Sequence, residues 1–218
     1  MDAPRSDKIG VIFARQSLPP LRHNGLNGHL HVMSIGFKEW TLVCDALGRG
    51  EQSIILRKGG IAEGRAGFRF QHPEFLLLPT LFHEQVAKLR LPADTPLPEL
   101  CDDGQLEVRY SARVEWTQDV LDWEKVRALA PFHLWQESEI EKRFRQDDKQ
   151  MVSLAFVRVQ RLSEPFVFPN SPRYGGCRSW VQLPNLPASI TLFEVLDETT
   201  HRTREAQIRA AVGTCAAP

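Results

Sequence analysis

At 218 residues the chain can bury one substantial core, and two full domains would be tight. Hydrophobic residues at 42% and charged residues at 25% match an ordinary globular protein. A formal net charge of zero excludes the global basic signature of a phosphate-neutralising protein and leaves room only for a local basic patch.

Four cysteines (Cys44, Cys101, Cys177, Cys215) lie far apart without a Cys-x-x-Cys pair, which speaks against a zinc finger and a disulfide scaffold and for a reducing cytoplasm. No stretch reaches the roughly 18 uninterrupted apolar residues that a spanning helix needs, so no membrane partner is expected.

Residues 1–32 lack sustained periodicity and carry Pro4, Pro19, Pro20, Gly25 and Gly28 among scattered histidines. They are expected to be a disordered extension, with Met33 as a candidate start. Residues 33–218 are read as a single α+β domain, a mostly antiparallel sheet with helices packed on one side.

Residues 40–47 fit two periods. Phe37, Trp40, Val43 and Leu47 make a helical stripe, whereas Trp40, Leu42, Cys44 and Ala46 alternate as a strand would. The break at Gly48-Arg49-Gly50 tilts the reading towards a hairpin, with its second strand near Gln52–Lys58. Residues 59–67 read as a glycine-rich loop and Phe75–Leu78 as a short buried strand. Pro79 and Thr80 are expected to open a helix with Phe82, Val86 and Leu89 inward.

Leu106–Trp116 alternates apolar and charged residues, the pattern of a strand with one wet face. Two helices should follow, the first striped by Trp123, Val126 and Ala130. The second has Ser138 and Glu141 as a capping box and buries Ile140 and Phe144. Val152–Val159 reads as a buried strand, Tyr174–Cys177 as a loop and Trp180–Leu183 as an edge strand. A last helix, about Asp197 to Val212, should stop at Gly213.

The chemistry concentrates between Lys38 and Gln85, where charged groups abut hydrophobic runs. Arg57-Lys58-Gly59-Gly60 places cations before glycines whose backbone N–H groups can approach an anion, although the spacing is not that of a P-loop. The bland alternative is a strand end with solvated cations. His72, Glu74 and His83 offer a mixed nitrogen–oxygen set for a divalent metal, or simply hydrogen bonds that fix a corner. Cys177, beside Arg178, is a candidate nucleophile without a partner base identifiable by spacing.

With those residues in view, the chain resembles a bacterial family, domain-of-unknown-function family 1802. The resemblance is carried by Phe37-Lys38-Glu39-Trp40, Leu56-Arg57-Lys58-Gly59-Gly60-Ile61, and His72-Pro73-Glu74-Phe75 running into Pro79-Thr80 and His83. Arg143-Phe144, Val157-Arg158-Val159 and Tyr174-Gly175-Gly176-Cys177-Arg178-Ser179-Trp180 complete it. The family pattern has Tyr and Gln where this chain has Leu81 and Glu84. The resemblance implies a residue list and no mechanism.

The expected function is binding of an anionic ligand, a nucleotide or nucleic-acid phosphate. Arg57, Lys58, Gly59 and Gly60 would contact it, with Arg143 and Lys38 as further ligand-binding candidates, and Glu74 and His83 would orient it or act catalytically. No cofactor is expected on this reading. The alternatives are a metal-dependent hydrolase or nuclease using His72, Glu74 and His83, and a non-catalytic protein-interaction module. Oligomeric state is left open.

Overall fold

A computed structural model describes residues 33–58, 68–81, 85–92, 94–95, 104–146 and 150–213. The extension at 1–32, Gly59, Gly60 and His83 lie outside the described residues. What is described is one mixed sheet in the order β2-β5-β4-β3-β1-β6, with β7 paired to a second part of β5.

Strand β1 (Ile35–Trp40) runs parallel to β3 (Glu74–Thr80) and antiparallel to the short edge strand β6 (Trp180–Gln182). Strand β2 (Ile54–Arg57) pairs antiparallel with β5 (Val152–Pro169). The long β5 pairs with β4 (Gln105–Val120), and its remaining partner is β7 (Leu192–Glu194). Two register shifts in β4, at Val108/Tyr110 and Val114/Trp116, bend this long ribbon so that its ends serve different parts of the sheet.

The helices are α1 (Thr41–Gly48), α2 (Trp123–Ala128), α3 (Glu137–Arg145) and α4 (Glu198–Val212). Their buried residues, among them Leu47, Val126, Ile140, Phe144 and Ile208, join Phe37, Ile54 and Phe156 in one large core. Among the described residues no α-helix covers the opposite face, where Leu76 and Leu78 of β3 pack under Phe166, Phe168, Tyr174 and Leu183. Helices on one side of a mostly antiparallel sheet is the architecture expected from the sequence. Among the described residues, no helix is long and apolar enough to cross a membrane.

Several local expectations are corrected. Residues 41–48 form a helix, not the first strand of a hairpin. Leu42, Val43, Cys44, Ala46 and Leu47 are all buried, so apolar groups cover most of the helix circumference and neither period dominates the pattern. Pro79 and Thr80 do not open a helix; they end β3, in register with Glu39 and Trp40 of β1. The parallel pairing overrides the local signal, and beyond it the described residues form only a 3₁₀ turn at Val86–Lys88. Helix α3 begins at Glu137 after an extended Gln136 without a side-chain cap, which puts Ser138 inside the helix and dissolves the capping box.

Other signals hold. Asp122 and Asp197 cap α2 and α4 by accepting from the backbone N–H groups of Glu124 and Thr200, both at 2.9 Å. Gly213, with φ at 76°, ends α4 in a conformation that side chains rarely adopt. Gly48 is required for space, because a Cβ there would lie 2.1 Å from Cζ of Tyr110.

Candidate functional site

Alternation along β1 sends neighbouring side chains to opposite faces of the sheet. Phe37 and Glu39 turn towards the helices; Gly36 and Lys38 turn towards the helix-free face, where Gly36 packs against Leu183. The cationic candidates are thereby divided into two groups.

On the helix side, Glu39 is 1% exposed and accepts from its neighbour's backbone, Trp40 N to Glu39 Oε1 at 2.8 Å. Its other oxygen lies 3.3 Å from Nη2 of Arg57. The Arg57 guanidinium also donates to the Lys38 carbonyl and sits 4.6 Å from the centre of the Phe37 ring. Arg57 is therefore bound internally, as the counter-ion of a buried carboxylate, and does not stand on a solvent-facing loop. Lys58 Nζ donates to the Phe144 carbonyl at 3.3 Å.

Arg143 joins this group from α3. Its guanidinium lies 3.6 Å from the ring centre of Trp135 and 5.7 Å from that of Trp40, and the two indoles pack at 4.5 Å. Burial, and then the like charge of Arg57, lower its pKa to about 10, while Glu39 and Glu139 act in the opposite sense. Nearby, Arg90 donates to the carbonyls of Trp135, Ala130 and His133. Buried His133 accepts at Nδ1 from Trp135 N, 3.1 Å away. Burial, then Arg90 and Arg143, push the His133 pKa down to about 3.

On the other face a cleft of about 840 Å³ opens between the ends of β1 and β3 and the chain that follows β5. Its walls include Lys38, Leu78, Thr80, Tyr174, Gly176 and Cys177. Lys38 Nζ donates to the Gly176 carbonyl at 2.6 Å, and its backbone N–H donates to Ser179 O at 2.8 Å. Burial lowers the Lys38 pKa; the neighbouring Cys177 raises it and Arg178 lowers it further.

The opposing wall is held by a 3₁₀ turn at Pro172–Tyr174, closed by Gly175 N donating to Pro172 O at 3.0 Å. Tyr174 is buried edge-on against Phe168 at 5.6 Å. Gly176, at φ 75°, takes the left-handed turn that aims its carbonyl at Lys38. Among the described lining residues there is no Asp or Glu, and Lys38 carries the single formal charge.

The sequence candidates are thus only partly assembled. Arg57, Arg143 and Glu39 meet on one face; Lys38 stands on the other, with Cys177. Glu74 is an exposed residue opening β3 in register with Arg113, and His72 packs its ring edge-on to Trp180 at 4.9 Å. Neither lines the cleft. Among the described residues, no group of three metal-ligating side chains is present.

Sequence reasoning passed over Glu39, Trp135 and the apposition of Gly176 to Lys38. For Glu39 a signal existed, since a carboxylate two residues from Phe37 on a strand must share its buried face. For Trp135 and Gly176 the contact is made across the fold and left no local pattern.

The family model for a domain of unknown function (DUF1802) matches residues 36–207. The chain belongs to this family. The match takes in β1, both faces just described and most of α4. No curated protein matches the chain significantly. Among solved structures, the DUF1802 chain is similar to ASCH from Zymomonas mobilis, at 11% identity and a TM-score of 0.40, over 79% of this chain and 93% of that one. A serine-to-alanine variant of that protein gives 10% identity and a TM-score of 0.39 over 80% and 96%. These are resemblances in outline.

Proposed function

We propose that this DUF1802 protein binds an anionic ligand, a nucleotide or nucleic-acid phosphate, in the cleft on the helix-free face. The observation that carries this reading is the charge imbalance of the cleft. A partly desolvated ammonium group faces a space of about 840 Å³, its hydrogen bond goes to a neutral carbonyl, and no carboxylate is among the described lining residues. A cation whose water is partly removed and whose charge is not cancelled attracts an anion more strongly than a paired surface lysine does.

Lys38 is the ligand's charge partner, and Thr80, Asn170 and Ser171 supply neutral hydrogen-bonding groups around it. The apolar surface of Leu78, Pro79, Leu106 and Pro172 suits the flat face of a base or the edge of a ribose. Arg57, expected from the sequence to hold the anion, contributes indirectly by fixing the backbone of Lys38 from behind.

The test is fluorescence polarisation with labelled mononucleotides and short single-stranded oligonucleotides over a salt series. Binding should weaken as salt rises, with a log–log slope of about 0.7 for each phosphate contact on a single strand. Lys38→Met should weaken it about tenfold, the loss of one charge-assisted contact. The proposal fails if no salt-sensitive binding is seen, or if the Lys38 variant binds as the parent does.

A further inference from the structure

The helix-side group holds a second cation that has no carboxylate partner among the described residues, and it stands apart from the cleft. Arg143 has five N–H donors in a fixed planar fork. Its guanidinium makes no hydrogen bond and no ion pair with any described residue and lies against the faces of Trp135 and Trp40. A buried or half-buried guanidinium normally meets a carboxylate or several carbonyls, as Arg90 does with those of Trp135, Ala130 and His133.

The available carboxylates are already engaged. Glu39 offers one oxygen to Trp40 N and the other to Arg57, and Glu139 pairs with Lys142 at 2.9 Å. Arg57 and Arg143 meanwhile repel each other. In the same group, Nε of Arg57 is sealed without a partner. The arrangement is one negative charge between two guanidinium groups, with donors left over and an aromatic wall beside them.

We infer that Arg143 anchors a second oxyanion site on the helix side of β1, which takes the phosphate of a small phosphorylated ligand against the half-buried ring of Trp40. A phosphate satisfies the fork with two parallel hydrogen bonds and offsets the excess positive charge. A ligand there lies beside two indoles, so their emission reports its arrival.

The experiment is a tryptophan-fluorescence titration of the full chain with inorganic phosphate and with adenosine monophosphate, against sodium chloride at matched ionic strength. The parent should show a saturable change with at least one of the two phosphates. Arg143→Met should weaken it by about tenfold or more, and Arg143→Lys, which keeps the charge without the fork, by several-fold. Lys38→Met, which disables the cleft, should leave this titration unchanged, so the two sites fail separately. Should Arg143→Met prove unfolded by circular dichroism, Arg143→Lys carries the test. A parent signal no larger than the chloride control, Arg143 variants that titrate like the parent, or a signal lost with Lys38 would each overturn the inference.

Discussion

Among the described residues, two arginines lie on tryptophans, and their surroundings differ. Arg209 of α4 sits 4.3 Å from the centre of Trp116, and Glu205 closes the arrangement by accepting from Trp116 Nε1 at 3.0 Å and from the Arg209 guanidinium at 2.9 Å. The same helix carries Arg202, 2.8 Å from both Glu198 and Glu205, and reaches Arg158 of β5, which pairs with Glu115 and Glu198. Arg143 lies closer to its indole, at 3.6 Å, with no carboxylate of its own. One stack belongs to a lattice whose charges cancel and whose role is to fasten α4 to the sheet. The other is left electrically open among the described residues, and the second oxyanion site is proposed on that ground.

The most damaging change is at Glu39, the one carboxylate of the open group among the described residues. Glu39→Ala should cost about 3–5 kcal/mol, because Arg57 is left buried beside Arg143 without compensation. Urea denaturation measures it, and a loss below about 1 kcal/mol would mean that the group is far better solvated than its burial implies.

The closed lattice is the comparison. Arg158→Met should cost about 2 kcal/mol, less than the Glu39 change, since Glu115 keeps Arg113 at 3.2 Å and sits nearer solvent. If Arg158→Met proved the worse of the two, the lattice and not the open group would be the critical charge balance of the fold.

Acid separates the two regions by the pH at which each weakens. His133 has its folded pKa depressed to about 3 from an ordinary value of 6.5, so the unfolded chain binds its proton first. Stability from keeping this ring neutral is complete above pH 6.5 and is lost as the pH falls towards 3, by about 1.4 kcal/mol per pH unit within that window. His201, lowered in the same direction by burial and then by Arg158, adds to the loss from the α4 side. The lattice carboxylates Glu115, Glu198 and Glu205 have pKa values held below 4.5, so their contribution persists above 4.5 and disappears only below it. Denaturation midpoints taken from pH 7 to 5 should therefore fall, and His133→Gln should flatten part of that slope. A slope unchanged in the variant would assign it to His201 alone.

The smallest effect is expected at Arg209. It is partly exposed, and Arg209→Ala should cost about 0.5 kcal/mol despite its ion pair and its ring contact. A much larger loss would show that the closed stack is doing more than fastening a helix.

The parts of the fold legible in the sequence are those where one period dominates. The alternation of Leu106–Trp116 announces β4, and Ile140 with Phe144 gives the buried side of α3. Residues 41–48 could not be decided because burial on nearly every side erases the period, and Pro79-Thr80 misled because parallel pairing to β1 is a contact between distant segments. The site followed the same rule. Lys38, Arg57 and Arg143 drew notice as charges set against apolar runs, yet their division between two faces depends on which way β1 turns once Phe37 is buried. The sequence reads Tyr174–Cys177 as a loop; that it faces Lys38 is a fact of tertiary structure.

The edge strand β6 carries a consequence for the newborn chain. Its partner β1 lies at the start of the described fold, while Trp180 and Val181 lie near its end, so nearly all of the domain must leave the ribosome before the two can zip together. Until then the far flank of β1 is a bare row of amides and carbonyls. The hollow beside Lys38 is accordingly among the later parts of the described fold to be completed.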